Sequence, residues 1–348
     1  MSPANKPEKT SLANKILKQL PLASKTAVWG TLGTIRPLLN FEVERDVESL
    51  LDAIAGEAVD YSTIIHLLTN RTNRQRQQIA KGFQAFTQQN LQKTLQAAVS
   101  GNLETAVVGL LKPAAQYDAH EIKMAMKGPD GATLAEILCT RTTQQLREIL
   151  DIYKHDFKSD LEADIALGTS GCFKDLLLTL LKTSRERYSG VIDYMLIEQD
   201  AKALVTAGSG VGALRLDEKK WVRILSQRSP EHLNRVFSLY HKKTGLQIEE
   251  AVAKFFHGNA QEAILTLVSV LRNAPLYFAI RLRQAIKGPV ASHKTLIRIL
   301  ISRSETDLLS VRAEFRQQYG ISLYSFIQTE MQGNYRALLL GLCKAEDL

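Results

Sequence analysis

Apolar residues recur at spacings of three and four along most of the chain, and no stretch sustains the strict alternation of a half-buried strand. The pattern predicts helices throughout. Four segments superimpose position by position: IIHLLTNRTNRQRQQI from Ile64, LAEILCTRTTQQLREI from Leu134, WVRILSQRSPEHLNRV from Trp221 and LIRILISRSETDLLSV from Leu296. A second set does the same: SGNLETAVVGLL from Ser100, SGCFKDLLLTLL from Ser170, HGNAQEAILTLV from His257 and QGNYRALLLGLC from Gln332. Thirty residues separate arginine from glycine in every copy, Arg71 from Gly101, Arg141 from Gly171, Arg228 from Gly258 and Arg303 from Gly333. The chain is a fourfold helical repeat.

Helix starts follow each anchoring arginine. Thr72 with Gln75, Thr142 with Gln145 and Ser304 with Asp307 have the spacing of capping boxes, and Ser229 precedes Pro230 at a first helical position. Gly101, Gly171, Gly258 and Gly333 suit sharp turns between a short helix and the longer apolar helix after it. The predicted fold is all-α, with a tail over 1–40 and repeats over 41–112, 113–184, 185–272 and 273–348, the third including a linker. The widest spacing lies between Arg141 and Arg228 and holds the connector KTSRERYSGVIDYMLIEQD, which predicts a division of the array into two halves there. Periodicity leaves open whether such an array is an open solenoid or a closed ring.

Composition narrows the class. The 348 residues are 45% hydrophobic and 23% charged, which excludes disorder and fibrous proteins. No uninterrupted apolar run has the length of a membrane span, and no apolar run with a cleavage site follows the basic start, so the expectation is a cytoplasmic protein without an export signal. Cys139, Cys172 and Cys343 are widely separated, against a disulfide framework or a zinc site. The net charge is +8, and much of it comes from Lys6, Lys9, Lys15, Lys18, Lys25 and Arg36 near the N-terminus, against the lone acid Glu8 there. Such a tail favours anionic lipid, nucleic acid or an acidic partner, or is simply solvated.

No enzyme constellation emerges. His66, His120, His155, His232, His241, His257 and His293 are scattered, with no metalloprotease or nucleophile-elbow pattern. Gly208, Gly210 and Gly212 lack the strand and the Gly-Lys-Ser/Thr ending of a phosphate loop, and read as an elongated inter-helix loop.

The repeat starts FEVERDVESLLDAIAG, YDAHEIKMAMKG, VIDYMLIEQDAKAL and PLYFAIRLRQAIKG, with the arginine- and glycine-centred segments, resemble the annexin family from about Phe41 to the C-terminus. The resemblance implies four repeats of five helices in a slightly curved disc, calcium sites on its convex face, and binding to anionic phospholipid membrane surfaces. It carries no expectation of nucleic acid.

The family's principal calcium site joins a Met-Lys-Gly-x-Gly-Thr loop, whose carbonyls converge, to a carboxylate three residues before the second glycine. Those carboxylate positions hold Ala98, Gly168, Phe255 and Glu330. Repeat one has Ala58 and Val59 where Gly-Thr belongs, and repeat four has Val290 and Ala291. MKGPDGAT in repeat two is two residues shorter than its counterpart in repeat four, and AGSGVGALRLDEKK in repeat three is longer. No repeat keeps an intact principal site, and Glu330 is the residual acid of a degenerate one. A secondary family site, two carbonyls and one carboxylate, maps onto Gln96, Val99 and Glu104; elsewhere the acid position is Lys174, Gln261 or Arg336. One anionic ligand implies weak calcium binding, roughly 0.1 to 1 mM.

The tail carries a second candidate. Ala13, Ile16, Leu17 and Leu20 share one face of a short helix ending before Pro21. Within the family a similar tail helix binds a small EF-hand dimer, and the alternative is a helix folded back on its own core. Two function classes remain: a peripheral phospholipid-binding protein whose calcium dependence is weak or absent, and a calcium-independent adaptor working through protein partners.

Overall fold

The structure, a computed structural model, describes residues 32–128, 130–182, 184–209, 216–288 and 292–345. The described residues are all-α. Repeat one contains α1 (Val43–Ala55), α2 (Tyr61–Thr69), α3 (Asn73–Thr87), α4 (Leu91–Ala98) and α5 (Gly101–Leu111). Repeat two contains α6 (Ala114–Met126), α7 (Gly131–Thr140), α8 (Thr143–Phe157), α9 (Leu161–Gly168) and α10 (Gly171–Lys182). The third begins with α11 (Tyr194–Ser209), α12 (Glu218–Gln227), α13 (Pro230–Thr244) and α14 (Ile248–Phe255). The long run α15 (Gly258–Lys287) passes from the third repeat into the fourth, completed by α16 (His293–Arg303), α17 (Leu308–Tyr319), α18 (Leu323–Glu330) and α19 (Gly333–Cys343). By length and mean hydropathy α15 resembles a membrane span, but it is two helices broken at Asn273 (φ −160, ψ 94), where Asn273 Oδ1 accepts the Leu276 amide and Pro275 stands inside the turn. Ile264, Leu267 and Val268 of its first half are core residues.

Two compact units divide the described residues, one over Lys112–Arg281 and one formed by those before and after it. The expected halves are therefore wrong: repeats two and three fall together, as do repeats one and four. The connector between repeats two and three lies inside one unit, pinned at Arg185 and Glu186. Glu186 donates its amide to Gln227 O at 2.7 Å, and the Arg185 guanidinium donates to Leu225 O and Arg228 O at 2.8 and 2.6 Å. In that unit Trp221 is fully buried, with Tyr240, Phe255 and Phe256 edge-on at centroid distances of 5.9, 6.3 and 5.6 Å. In the other unit α19 packs on α2 and α5 on α16. Arg76, 1% exposed, donates there to Leu110 O, Leu68 O and Glu305 Oε1. Residues 32–38 also dock on this unit: Ile35 donates its amide to Ser304 O at 2.9 Å, and Thr34 Oγ1 donates to Leu342 O at 2.6 Å.

Each anchoring arginine has a structural task. Arg71 forks onto Asp46 (2.6 and 2.8 Å), Arg141 onto Asp118 (2.6 and 2.8 Å) and Arg228 onto Asp200 (2.7 and 3.4 Å), tying the end of the second helix to the first helix of the same repeat. Repeat four has the fully buried Phe278 at the aspartate position, and Arg303 turns instead to Asp307 at 2.7 Å. That switch corrects one expectation. Ser304 and Asp307 form no capping box, because Asp307 is taken by Arg303 and the Ser304 hydroxyl donates back to Ile301 O; α17 starts only at Leu308. The boxes at Thr72–Gln75 and Thr142–Gln145, and the Ser229 cap before Pro230, form as expected.

Breaking the most buried fork tests its weight. Arg141→Ala leaves Asp118 as an uncompensated buried charge, with side chains only 3% and 9% exposed in the parent pair, and should cost about 3–5 kcal/mol of unfolding free energy measured by urea titration.

Candidate functional site

The second helix of each repeat is capped by a residue that the pattern of arginines and glycines did not reveal. Asp60 accepts the Thr63 amide at 3.1 Å, Asp130 that of Thr133 at 3.0 Å, Asp217 that of Lys220 at 3.1 Å, and Ser292 that of Thr295 at 3.2 Å. These caps fix where the preceding loop ends. Asp60 and Ser292 also close their loops by donating amides to Ala53 O (2.8 Å) and Ala285 O (2.9 Å) at equal separations along the chain, whereas Asp217 reaches further back, to Ala207 O at 3.3 Å. The third loop is thus the longer one. On the facing side, Gly101, Gly171, Gly258 and Gly333 all have φ between +58 and +64, a left-handed turn that a β-carbon would strain.

Where the family resemblance sets a calcium ion between loop and turn, each repeat carries a contact made by its own side chains. In repeat one the Tyr61 hydroxyl donates to Ala98 O at 3.2 Å. In repeat two Met126 lies against Gly168, so closely that a β-carbon there would come within 2.7 Å of Met126 Cε. In repeat three the Phe255 ring covers Gly208, with 2.6 Å left for a β-carbon. In repeat four Lys287 Nζ donates to Glu330 Oε1 at 2.9 Å. Glu330 is therefore ion-paired to the lysine of the loop it faces.

The secondary constellation does come together. Gln96 Nε2 donates to Glu104 Oε1 at 2.8 Å across the Gly101 turn, and Val99 sits between them in extended backbone with its side chain buried. The Gln96 amide thus holds the carboxylate that the site requires. Among the described residues no group of three or more His, Cys, Asp or Glu is arranged to hold a metal. Ala13, Ile16, Leu17 and Leu20 lie outside the described residues, as do Val290 and Ala291. The four contacts were not foreseen, since each joins two segments far apart in sequence; aligning the repeats and asking which side chain faces each carboxylate position would have marked Tyr61 and Lys287.

Repeat two is held in place by a polar cluster beneath its turn. Asp164 on α9 accepts from the Tyr153 hydroxyl at 2.6 Å, Lys123 Nζ at 2.9 Å and Ser159 Oγ at 2.7 Å. The Tyr153 hydrogen bond is the main cause holding Asp164 down to about 2, with Lys123 and Ser159 adding to it, while burial and the carboxylate push Tyr153 up.

The annexin family pattern matches this chain over residues 45–110, 117–180, 199–267 and 277–342. The chain belongs to the annexin family. It is similar to Annexin A9 of Homo sapiens, 53% identical over 340 residues and covering 97% of each chain, and to Annexin A9 of Mus musculus, 52% identical over 350 residues and covering 100% of each. Among solved structures it superimposes on annexin III with a TM-score of 0.86 at 38% identity, covering 90% of this chain and 98% of that one.

Two outcomes are expected at these positions. The depressed Asp164 contributes stability that is present above its unfolded value of 3.8 and is lost as pH falls through about 2. Asp164→Asn should remove that part of the acid sensitivity, read as a flatter dependence of the urea midpoint on pH in this window. The exposed Lys287–Glu330 pair should count for little in stability, so Lys287→Met should change the unfolding free energy by less than about 1 kcal/mol in the same assay.

Proposed function

We propose that this annexin is a peripheral protein of anionic phospholipid surfaces, acting at the cytosolic face of membranes, with calcium dependence weak or absent. The observation that carries the reading is the match of all four repeats to a family that binds such surfaces. What supports the loss of calcium control is the donor set. Calcium takes roughly six to eight hard oxygens. Ala98, Gly168 and Phe255 offer no side-chain oxygen at the acid positions, Glu330 is engaged by Lys287, and Glu104 is engaged by Gln96. These residues do not fit a principal site. Gln96, Val99 and Glu104 remain as a weak secondary one, for which the Gln96 amide would have to release the carboxylate.

The membrane attraction then comes from charge. The +8 chain, basic toward its N-terminus, gains about 1 kcal/mol per Lys or Arg held near an anionic leaflet, and this gain fades within a Debye length as salt is raised. Such a protein binds reversibly and acts as a binding module, with no chemistry of its own.

Co-sedimentation with phosphatidylserine vesicles, with and without millimolar calcium and over a salt series, tests the reading. Binding should fall steeply with salt and stay the same with calcium. Calcium-strengthened binding abolished by Glu104→Gln would restore ordinary calcium control, and absence of binding under every condition would overturn the lipid reading.

A further inference from the structure

One cavity of about 540 Å³ has no part in the calcium loops. It opens where residues 34–38 cross the ends of α2 and α19, and its walls include Arg36, His66, Arg71, Arg312 and Lys344. No aspartate or glutamate is among the described residues that line it. Its size is within the range of about 300 to 1,000 Å³ typical of small-molecule sites.

The cations differ in how they are compensated. Arg71 is matched by its fork to Asp46. Among the described residues Lys344 and Arg312 instead meet neutral acceptors. Lys344 Nζ donates to Thr69 O at 3.1 Å and Asn70 Oδ1 at 2.7 Å, which engages two of its three donors among the described residues. Arg312, 8% exposed, donates from one terminal nitrogen to Cys343 O at 3.1 Å, and its buried Nε has no hydrogen-bond partner among the described residues. Burial pushes the Lys344 ammonium down from its ordinary value, a cost that an anion beside it would offset. The backbone points the same way. Lys344 has φ 62 and ψ 148, a region that residues other than glycine seldom occupy, and such conformations gather at binding sites.

We propose that this cavity is an anion site for a phosphate monoester group. Two cations facing neutral acceptors balance a group carrying about −1.5 to −2 charges near neutral pH, which a phosphate monoester does and a single carboxylate does not. The Arg312 guanidinium supplies planar donors and the Lys344 ammonium a point charge. The same chemistry is presented by a soluble phosphorylated metabolite and by a phosphoinositide headgroup. The site is independent of the calcium loops and of how the protein meets phosphatidylserine.

Calorimetric titration of the full chain with glycerol phosphate, a soluble phosphate monoester, tests it, followed by Arg312→Gln, which keeps a donor for Cys343 O, and Lys344→Gly. Glycine is chosen at Lys344 because it accepts the backbone conformation there, so the fold is kept while the ammonium is lost; a thermal melt of each variant checks this. Saturable binding weakened about tenfold or more by each substitution is expected. Competition between glycerol phosphate and phosphatidylcholine vesicles bearing a phosphoinositide then separates a headgroup from a soluble ligand: displacement from the vesicles assigns the headgroup, and glycerol phosphate binding without vesicle attachment assigns a soluble compound. Absence of saturable glycerol phosphate binding, or equal binding by folded variants, overturns the proposal. Glu346 and Asp347 follow Ala345 directly in the chain, so Glu346→Gln with Asp347→Asn is titrated in parallel. Binding seen only in that double variant also overturns it, since the chain's own carboxylates would then be the occupant.

Discussion

The fork between an arginine at the end of one helix and an aspartate on the helix before it sets the geometry of three repeats. A guanidinium and a carboxylate joined by two parallel bonds must be nearly coplanar, so the fork fixes the angle of approach as well as the distance. With Asp118 and Arg141 both almost wholly buried, the pair has no water to fall back on. The loop between the two helices must then span a fixed gap, and it is this loop whose closing contacts differ from repeat to repeat. Repeat four shows what happens without the fork. Phe278 fills the space with apolar surface, Arg303 turns to Asp307, and the freed corner at Ser304 and Glu305 becomes the place where residues 34–35 dock and where Arg76 finds its acid.

Much of the architecture was legible in the sequence because periodicity is local. The apolar spacing, the capping boxes at Thr72 and Thr142, and the four left-handed glycines all depend on residues within a turn or two of one another. What escaped was the long-range bonding. Arg71 stood out as an anchor, but Asp46, which makes it one, lies 25 residues upstream. Ser304 and Asp307 had the right spacing for a box, and only the loss of an aspartate at Phe278 explains why Asp307 was needed elsewhere. The connector was read as a boundary from its length, although length says nothing about how firmly Arg185 and Glu186 bind the neighbouring helix end.

The candidate site divides along the same line. Missing carboxylates at Ala98, Gly168 and Phe255 are visible by alignment alone. The contacts in their place are not, because a tyrosine hydroxyl, a methionine and a phenylalanine ring share no chemical signature. They share only a position, and each draws together the loop and turn of its own repeat.

The division of the chain into units also bears on how it is made. The unit over Lys112–Arg281 is one continuous segment, complete as soon as its last helix has been synthesised. Its companion is discontinuous: Arg76 must wait for Glu305, 229 residues later, and Thr34 for Leu342, 308 residues later. Closing loops of that length is slow, and the ribosome delivers the second half of the pair last. The first repeat therefore emerges early and spends most of translation with the faces meant for α16 and α19 uncovered, which makes it the part of the nascent chain most in need of a chaperone.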